Sequence, residues 1–464
     1  MSVHSTDHET EHRQDGLLAD LRDVFATGRT HSLQWRIAQL AGIERLIIEQ
    51  ESSILAALAE DLGRSAIEAW LGDGASTKGE AIYARKRVKR WMRRQRVGIP
   101  FTQQPGRAWV QYDPLGVVLV IGPWNYPLYL TLSPLVAAVA AGNCVVVKPS
   151  ELAPASSRLL ARLIPQYLDP EAVRVVEGSA DTTQQLLAAG FDHALFTGGT
   201  DVGRKVMAAA AATLTPVTLE LGGKSPVVVA ADADLDVAAR RIASFKLINS
   251  GQTCIAPDYV LAHESIARTL ADKIGESITE FRSAEAAPTL PIVNDRQYAR
   301  LVSLIETATG DVVIGGKSDA AIRGIEPTVI WNPSPTDAVM SEEIFGPILP
   351  VLSVPSMDAA VRFVNSRPKP LALYVFTSRS GGRDLVDRMP SGGAVINHVG
   401  IHCLVPQLPF GGVGASGIGA YHGRWGFETM SHRRAVVSKP ARPDPRIMYP
   451  PFTDRAVKLI RRLT

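Results

Sequence analysis

Three side chains in this sequence combine a reactive type with an unusual setting: Cys254, Glu220 and Asn125. The chain has three cysteines, Cys144, Cys254 and Cys403. A free cysteine is more often a small buried hydrophobe than a catalyst. Cys144, at a strand start among valines, and Cys403, in an apolar loop, fit that description. Cys254 differs. Ser250-Gly251-Gln252-Thr253 precede it in a polar, glycine-containing loop, where a thiol can be exposed and its thiolate stabilised. Glu220 interrupts the apolar strand Val217-Thr218-Leu219-Glu220-Leu221 and is followed at once by Gly222-Gly223. A carboxylate there is costly to bury unless paired, and partial burial raises its pKa toward the range of a general base. A salt bridge to Lys224 is the plain alternative. Asn125 is a neutral amide donor at a strand end, suited to stabilise an oxyanion or to cap the helix that starts near Pro127.

Three loops follow expected strands in the first half of the chain: Gly122-Pro123-Trp124-Asn125, Lys148-Pro149-Ser150-Glu151 and Thr197-Gly198-Gly199-Thr200-Asp201-Val202-Gly203. In an open parallel sheet the strand C-termini line one edge, and ligands bind just outside it. The loops should therefore converge on one crevice. The last precedes a helix N-terminus and suits a phosphate group. It departs from the usual dinucleotide fingerprint, with Thr200 where the middle glycine belongs, so an ordinary strand–helix turn stays open. Lys148 and Glu151 read either as a surface pair of little energetic weight or as partners of an adenosine ribose. In the second case Glu151 would tend to repel a 2′-phosphate.

The elements that must position these groups alternate regularly. Strand Leu115–Ile121, a helix over about Leu128–Ala141 and strand Cys144–Val147 form a first βαβ unit. Strands Val173–Val176, His193–Phe196 and Pro216–Leu221 follow, with helices Ser156–Tyr167, Thr182–Ala189 and Val202–Ala212 between them. After Gly222-Gly223 the alternation restarts with strand Pro226–Ala230, helix Leu235–Asn249, strand Tyr259–Ala262 and helix Ser265–Arg282. Asp311–Ile314, Leu371–Thr377 and Gly393–Ile396 are later strands. The fold class is α/β, with two doubly wound parallel-sheet domains joined near Glu220–Lys224 and a ligand cleft between them. A chain of 464 residues is long for one hydrophobic core. Pro114–Val147 holds no charge and is long enough to span a membrane, but four turn signals interrupt it, which suits a buried βαβ unit instead.

The region from Gly16 to Val97 reads as mostly helical and ends in a basic run, Arg85 to Arg96. Val88 and Trp91 mark the packed side of a solvated helix; a patch for anionic lipid or nucleic acid is the alternative. The net charge of +3 gives no global reason to expect nucleic acid. No Cys-x-x-Cys or Cys/His spacing points to a disulfide framework or a metal site, so a reducing compartment is expected. Met1–Gln14 carries no apolar run of the kind found in signal peptides.

Five segments, Phe196–Gly203, Leu219–Pro226, Gly251–Cys254, Glu342–Pro347 and Pro409–Gly414, resemble the successive signature motifs of the aldehyde dehydrogenase superfamily, in its order. Gln252–Tyr259, Gly423–Phe427 and Ser431–Arg434 are most similar to the class 3 branch, which holds fatty- and aromatic-aldehyde enzymes. The resemblance runs from about Asp20 to Tyr449. It implies Rossmann-like domains: a cofactor-binding domain over 1–219 interrupted near 101–114 by an oligomerisation strand, a catalytic domain over 220–424, and an oligomerisation strand and tail over 425–464. It also implies Cys254 as nucleophile, Glu220 as the base that activates water, and Asn125 with the Cys254 N–H as oxyanion donors. Trp124, Lys148, Ser150, Glu151, Gly198, Gly199, Thr200, Gly203, Leu221, Glu343 and Phe345 would contact the cofactor, NAD with NADP as an option, and no metal is implied. The reaction would take an aldehyde to its acid through a thiohemiacetal and a thioester. Transfer of the thioester to coenzyme A is an alternative, although relatives that do so generally lack a base where Glu220 stands. A non-catalytic binding protein on the same fold is another. Tyr129, Ile255 and His402 would line an apolar tunnel. Ala108–Tyr112 and Arg434–Ser438 resemble strands that pair across a homodimer. The C-terminal Arg455–Thr464 is too short and too charged to be a membrane anchor, so a soluble, cytoplasmic protein is expected.

Overall fold

A computed structural model describes residues 16–283, 289–378 and 381–463. Met1–Gln14 lies outside them. Strands Val117–Ile121 and Cys144–Lys148 are buried at every position, as their valine-rich sequences, charged only at the terminal Lys148, require of parallel strands covered on both faces. Helix Tyr129–Ala141 between them is also buried throughout, and Gly142, at φ 92°, ends it in a left-handed cap. The first sheet runs, edge to edge, Gly417–Ile418, Val217–Leu221, His193–Gly198, Val117–Ile121, Cys144–Lys148, Val173–Val175. Five of these are parallel, and Gly417–Ile418 joins antiparallel to Val217–Leu221. The winding reverses between Val117–Ile121 and His193–Gly198. In doubly wound sheets this switch point is where a crevice opens beyond the strand C-termini.

The second sheet has seven strands in the order Asp311–Ile314, Thr328–Trp331, Ile348–Val354, Tyr259–His263, Pro226–Val229, Ala372–Phe376, Gly393–Ile396. All neighbours are parallel except Asp311–Ile314 on Thr328–Trp331. Val217–Leu221 ends the parallel run of the first sheet, and after Gly222–Ser225 the next strand, Pro226–Val229, lies in the second. Glu220 therefore stands at the passage between the two sheets. A third, antiparallel sheet holds Gln95–Val97, Arg107–Pro114 and Ser431–Ser438. The two segments expected to pair across subunits are thus paired with each other within one chain, Arg434 opposite Gln111.

Two details bear on the site. The helix expected to reach Asn249 stops at Leu247, and Ile248–Gly251 forms a separate turn with left-handed backbone at Asn249 (φ 51°) and Ser250 (φ 55°). The first part of the basic run, Arg85–Trp91, ends helix Ser76–Trp91, whose Val88 and Trp91 are buried, and the run's last residues enter strand Gln95–Val97. Three of its cations have partners: Arg85 pairs with Glu44 at 2.9 Å, and Arg87 and Arg94 lie over the rings of Tyr83 and Trp109. No helix among the described residues is long and apolar enough to cross a membrane.

Candidate active site

Asn125 sits in the loop after Val117–Ile121 and is 4% exposed. Its Nδ2 donates to the carbonyl of Gln252 at 3.1 Å, two residues before Cys254. An amide nitrogen carries two hydrogens, so one remains for another acceptor. Asn125 does not cap the following helix. That is done by a residue distant in sequence, Asp73, whose Oδ1 accepts from the backbone N–H of Leu128 (3.0 Å) and Tyr129 (2.8 Å).

Cys254 is half-buried, beyond the left-handed turn Asn249–Gly251. A side chain at Gly251, φ 71°, would collide with the Gly346 carbonyl, so the turn needs a glycine there. The other two cysteines remain in the settings read from the sequence, Cys144 buried in a strand and Cys403 donating to the Gly400 carbonyl at 3.1 Å.

Glu220 is 1% exposed, and neither carboxylate oxygen finds a hydrogen-bond partner among the described residues. The alternative of a salt bridge to Lys224 is not realised. Lys224 is ion-paired with Asp258 and donates to the carbonyls of Val339 (2.9 Å) and Glu342 (2.8 Å). Loss of hydration pushes Glu220 up to about 8, and the Cys254 thiol is the one neighbour that draws it back. The same burial, aided by the carboxylates of Glu220 and Glu343, pushes the Cys254 thiol well above its ordinary value. The resting pair is therefore a neutral thiol facing a carboxyl that holds its proton near neutrality. Asn125 thus lies against the cysteine loop through Gln252, and Glu220 lies beside the Cys254 thiol.

The expected cofactor residues fall on both sides of the crevice. Lys148 is buried at the end of its strand, with Nζ 2.6 Å from the half-exposed Glu151. Ser150 accepts from Leu152 N–H at 3.2 Å and turns that loop. Helix Thr200–Ala211 starts after Gly199, where a side chain would meet open space. At Gly203 a Cβ would lie 2.6 Å from Leu221 Cδ2, so this glycine lets the helix close on the strand. Thr200 Oγ1 reaches the Ala415 carbonyl at 3.4 Å, and Thr197 Oγ1 is buried without a partner among the described residues. Across the gap, burial pushes Glu343 up to about 8, and the Gly223 N–H partly offsets this. A Cβ on Gly222 would occupy the space of the Glu343 carboxylate. Phe345, at φ 51°, meets Trp124 edge-on with ring centroids 5.5 Å apart. A helix N-terminus at the switch point, a lysine–glutamate pair one strand away and a buried carboxylate opposite suit a dinucleotide's pyrophosphate and two riboses. Among the described residues no group of three His, Cys, Asp or Glu could hold a metal ion.

Of the expected tunnel residues, Ile255 is buried beside the thiol and its carbonyl accepts from Tyr374 Oη at 2.5 Å. Tyr129 Oη lies 3.1 Å from His422 Nε2, and both ring nitrogens of His402 lack partners among the described residues. Burial holds His402 and His422 down, to about 4 and about 3, so both imidazoles are neutral. Sequence reasoning missed Arg64, Asp73 and Asn249, which tie the Asn125 loop to the cysteine loop. They act at separations of up to 185 residues, beyond what local spacing reveals.

A family model described as "Aldehyde dehydrogenase family" matches residues 4–436. The chain belongs to the aldehyde dehydrogenase family. The mouse protein "Aldehyde dehydrogenase family 3 member A2" is 44% identical over 443 residues, covering 94% of this chain and 91% of its own. The rat "Aldehyde dehydrogenase, dimeric NADP-preferring" is 46% identical, covering 90% of this chain and 93% of its own. Among solved structures, that of a Staphylococcus aureus AldH in a substrate-bound state superposes with a TM-score of 0.93 at 39% identity, over 96% of this chain and 98% of that one. The class 3 resemblance read from the motifs holds across the chain. The dehydrogenase is an NAD(P)-dependent enzyme that oxidises aldehydes.

Proposed function

We propose that the dehydrogenase converts medium- or long-chain aliphatic, or aromatic, aldehydes to carboxylic acids, with Cys254 as nucleophile, Glu220 as hydrolytic base and Asn125 as oxyanion donor. The observation that carries this reading is the buried carboxyl of Glu220 facing the Cys254 thiol. The thiol gives up its proton to solvent as sulfur bonds to the aldehyde carbon. The free N–H of Asn125 and the backbone N–H of Cys254 hold the resulting alkoxide. Bound NAD(P) supplies the two-electron acceptor that turns this thiohemiacetal into a thioester. The Lys148–Glu151 pair would hold its adenosine ribose, Gly198–Gly203 its pyrophosphate, and Glu343 its nicotinamide ribose, with Trp124, Ser150, Leu221 and Phe345 lining the site. Glu220 removes a proton from water; the hydroxide adds to the thioester carbon, the C–S bond breaks to give the acid, and the leaving sulfur takes that proton back from Glu220 as the thiol. A base in this position favours water over coenzyme A as acyl acceptor, and the complete set of three groups favours catalysis over mere binding.

Lys148 pairing with Glu151 favours NAD, while the rat relative's name favours NADP, so both are expected to serve. The substrate class rests on the class 3 relatives and on the apolar, aromatic surroundings of Tyr129 and Ile255. Domain limits at 1–219, 220–424 and 425–464, a homodimer and a cytoplasmic location complete the proposal. Absorbance of the reduced cofactor, followed with aliphatic and aromatic aldehydes and with NAD and NADP in parallel, tests it. Turnover is expected with medium- or long-chain aliphatic or with aromatic aldehydes and is expected to vanish in Cys254→Ala; turnover by that variant, or a requirement for coenzyme A, overturns the reading.

A further inference from the structure

The side chains of Arg64 and Asp73 are 1% and 0% exposed, and they form an ion pair at 2.6 Å. Taking two charges out of water is worthwhile only when every polar atom is satisfied, and here almost all are. Arg64 Nη1 bonds Asp73, Nη2 bonds the main-chain carbonyl of Asn125, and Nε donates to Asn249 Oδ1 at 3.0 Å. The guanidinium face covers the Tyr126 ring, 4.2 Å from its centroid, and Tyr126 Oη meets Thr253 Oγ1 at 2.8 Å. Asn249 carries the bridge onward: its Nδ2 donates to the carbonyls of Asn125 (3.2 Å) and Gln252 (3.1 Å). Gln252 Nε2 in turn donates to the Asn249 and Pro291 carbonyls, and its Oε1 accepts from Val293 N–H.

One arginine therefore joins a loop of the first sheet to the loop of the second that carries the thiol. We propose that Arg64 is a positioning residue for the oxyanion site, its planar fork fixing the Asn125 backbone relative to the Asn249–Cys254 turn. This deepens the reading above and rests on Asn125 being an oxyanion donor. The geometry calls for arginine. Lysine can reach one or two of the three acceptors but cannot serve them in one plane or lie flat on Tyr126. Asp73 serves both ends of the device, since its second oxygen fixes the start of the Tyr129–Ala141 helix just beyond Asn125. A displacement of about 1 Å at a reacting group can cost about a hundredfold in rate, so rigid backbone on both sides of the thiol has kinetic value.

The test compares two reactions of the thiol in the full-length enzyme. Acylation by p-nitrophenyl acetate passes through a tetrahedral oxyanion; alkylation by iodoacetamide does not. In Arg64→Met, acylation is expected to slow about a hundredfold, as on losing one oxyanion donor, with alkylation near the wild-type rate. Arg64→Lys should fall between wild type and Arg64→Met, and it carries the test if the methionine variant does not fold. Because Arg64 acts through Asn125, the double variant Arg64→Met/Asn125→Ala should acylate no more slowly than Asn125→Ala alone. Equal slowing of both reactions, or losses that multiply in the double variant, overturns the proposal. Unchanged acylation in Asn125→Ala removes the underlying reading. Slow acylation in Asn125→Ala with unchanged acylation in the Arg64 variants removes only the role of Arg64.

Discussion

Thioester hydrolysis in the dehydrogenase should speed up about tenfold between pH 7 and pH 9, because the base that drives it is still mostly protonated at neutrality. Burial pushes Glu220 up to about 8. Roughly a tenth of the enzyme then holds it ionised at pH 7 and roughly nine-tenths at pH 9. Only the ionised form can take a proton from water. The assay is rapid mixing of enzyme, saturating aldehyde and NAD: a first turnover of reduced cofactor reports thioester formation, and the following linear phase reports hydrolysis where that step limits. In Glu220→Gln the linear phase should fall by about 10² to 10⁴, the usual share of a general base, and lose its pH step. Glu343 is also held at about 8, so Glu343→Gln is the control and should keep the step. A flat wild-type profile from pH 7 to 9, or a rise that persists in Glu220→Gln, refutes the assignment. The stability sign is opposite. The folded chain binds the Glu220 proton more tightly than the unfolded chain does, so this contribution is complete below about 4.5 and is lost as pH rises through about 8. At pH 9 Glu220→Gln should therefore melt no lower than wild type.

Asn125→Ala should lower kcat by about 10² to 10³ in steady-state assays, with little change in KM for the cofactor, and near-normal turnover would remove it from the mechanism. Gly222→Ala puts a methyl group where the Glu343 carboxylate lies; KM for NAD should rise about tenfold, equivalent to about 1.4 kcal/mol and within the usual cost of overpacking, and an unchanged KM would separate Glu343 from the cofactor. After cell lysis and a salt wash the protein should stay in the supernatant and sediment at the mass of a homodimer; retention with membranes would contradict the first expectation and a monomer the second.

The first sheet was legible in the sequence because its central strands Val117–Ile121 and Cys144–Lys148 are buried throughout, leaving a valine-rich run with no charge before Lys148, broken by glycine and proline. For the same reason Glu220 could be found: a charge inside such a run has no ordinary explanation. The left-handed turn at Asn249 and Ser250 escaped notice because the apolar periodicity of Leu235–Leu247 continues into it. Only the tertiary bonds from Asn249 to Asn125 and Gln252 impose the break. The role of Asp73 as helix cap was invisible for a related reason, since a cap 55 residues away leaves no local signature, whereas Asn125 stood where a local cap belongs. The alternative of a Lys224 pairing fails for the same reason: Lys224, adjacent in sequence to the glutamate strand, is held by Asp258 from another loop, not by Glu220.

The central claim is that the acyl group passes through Cys254. Glu220→Gln, incubated with excess aldehyde and NAD, acid-quenched and digested, should yield one acylated peptide containing Cys254, in step with one equivalent of reduced cofactor per subunit. An acyl group on Cys144 or Cys403, or reduced cofactor formed with no acylated peptide, would contradict the account.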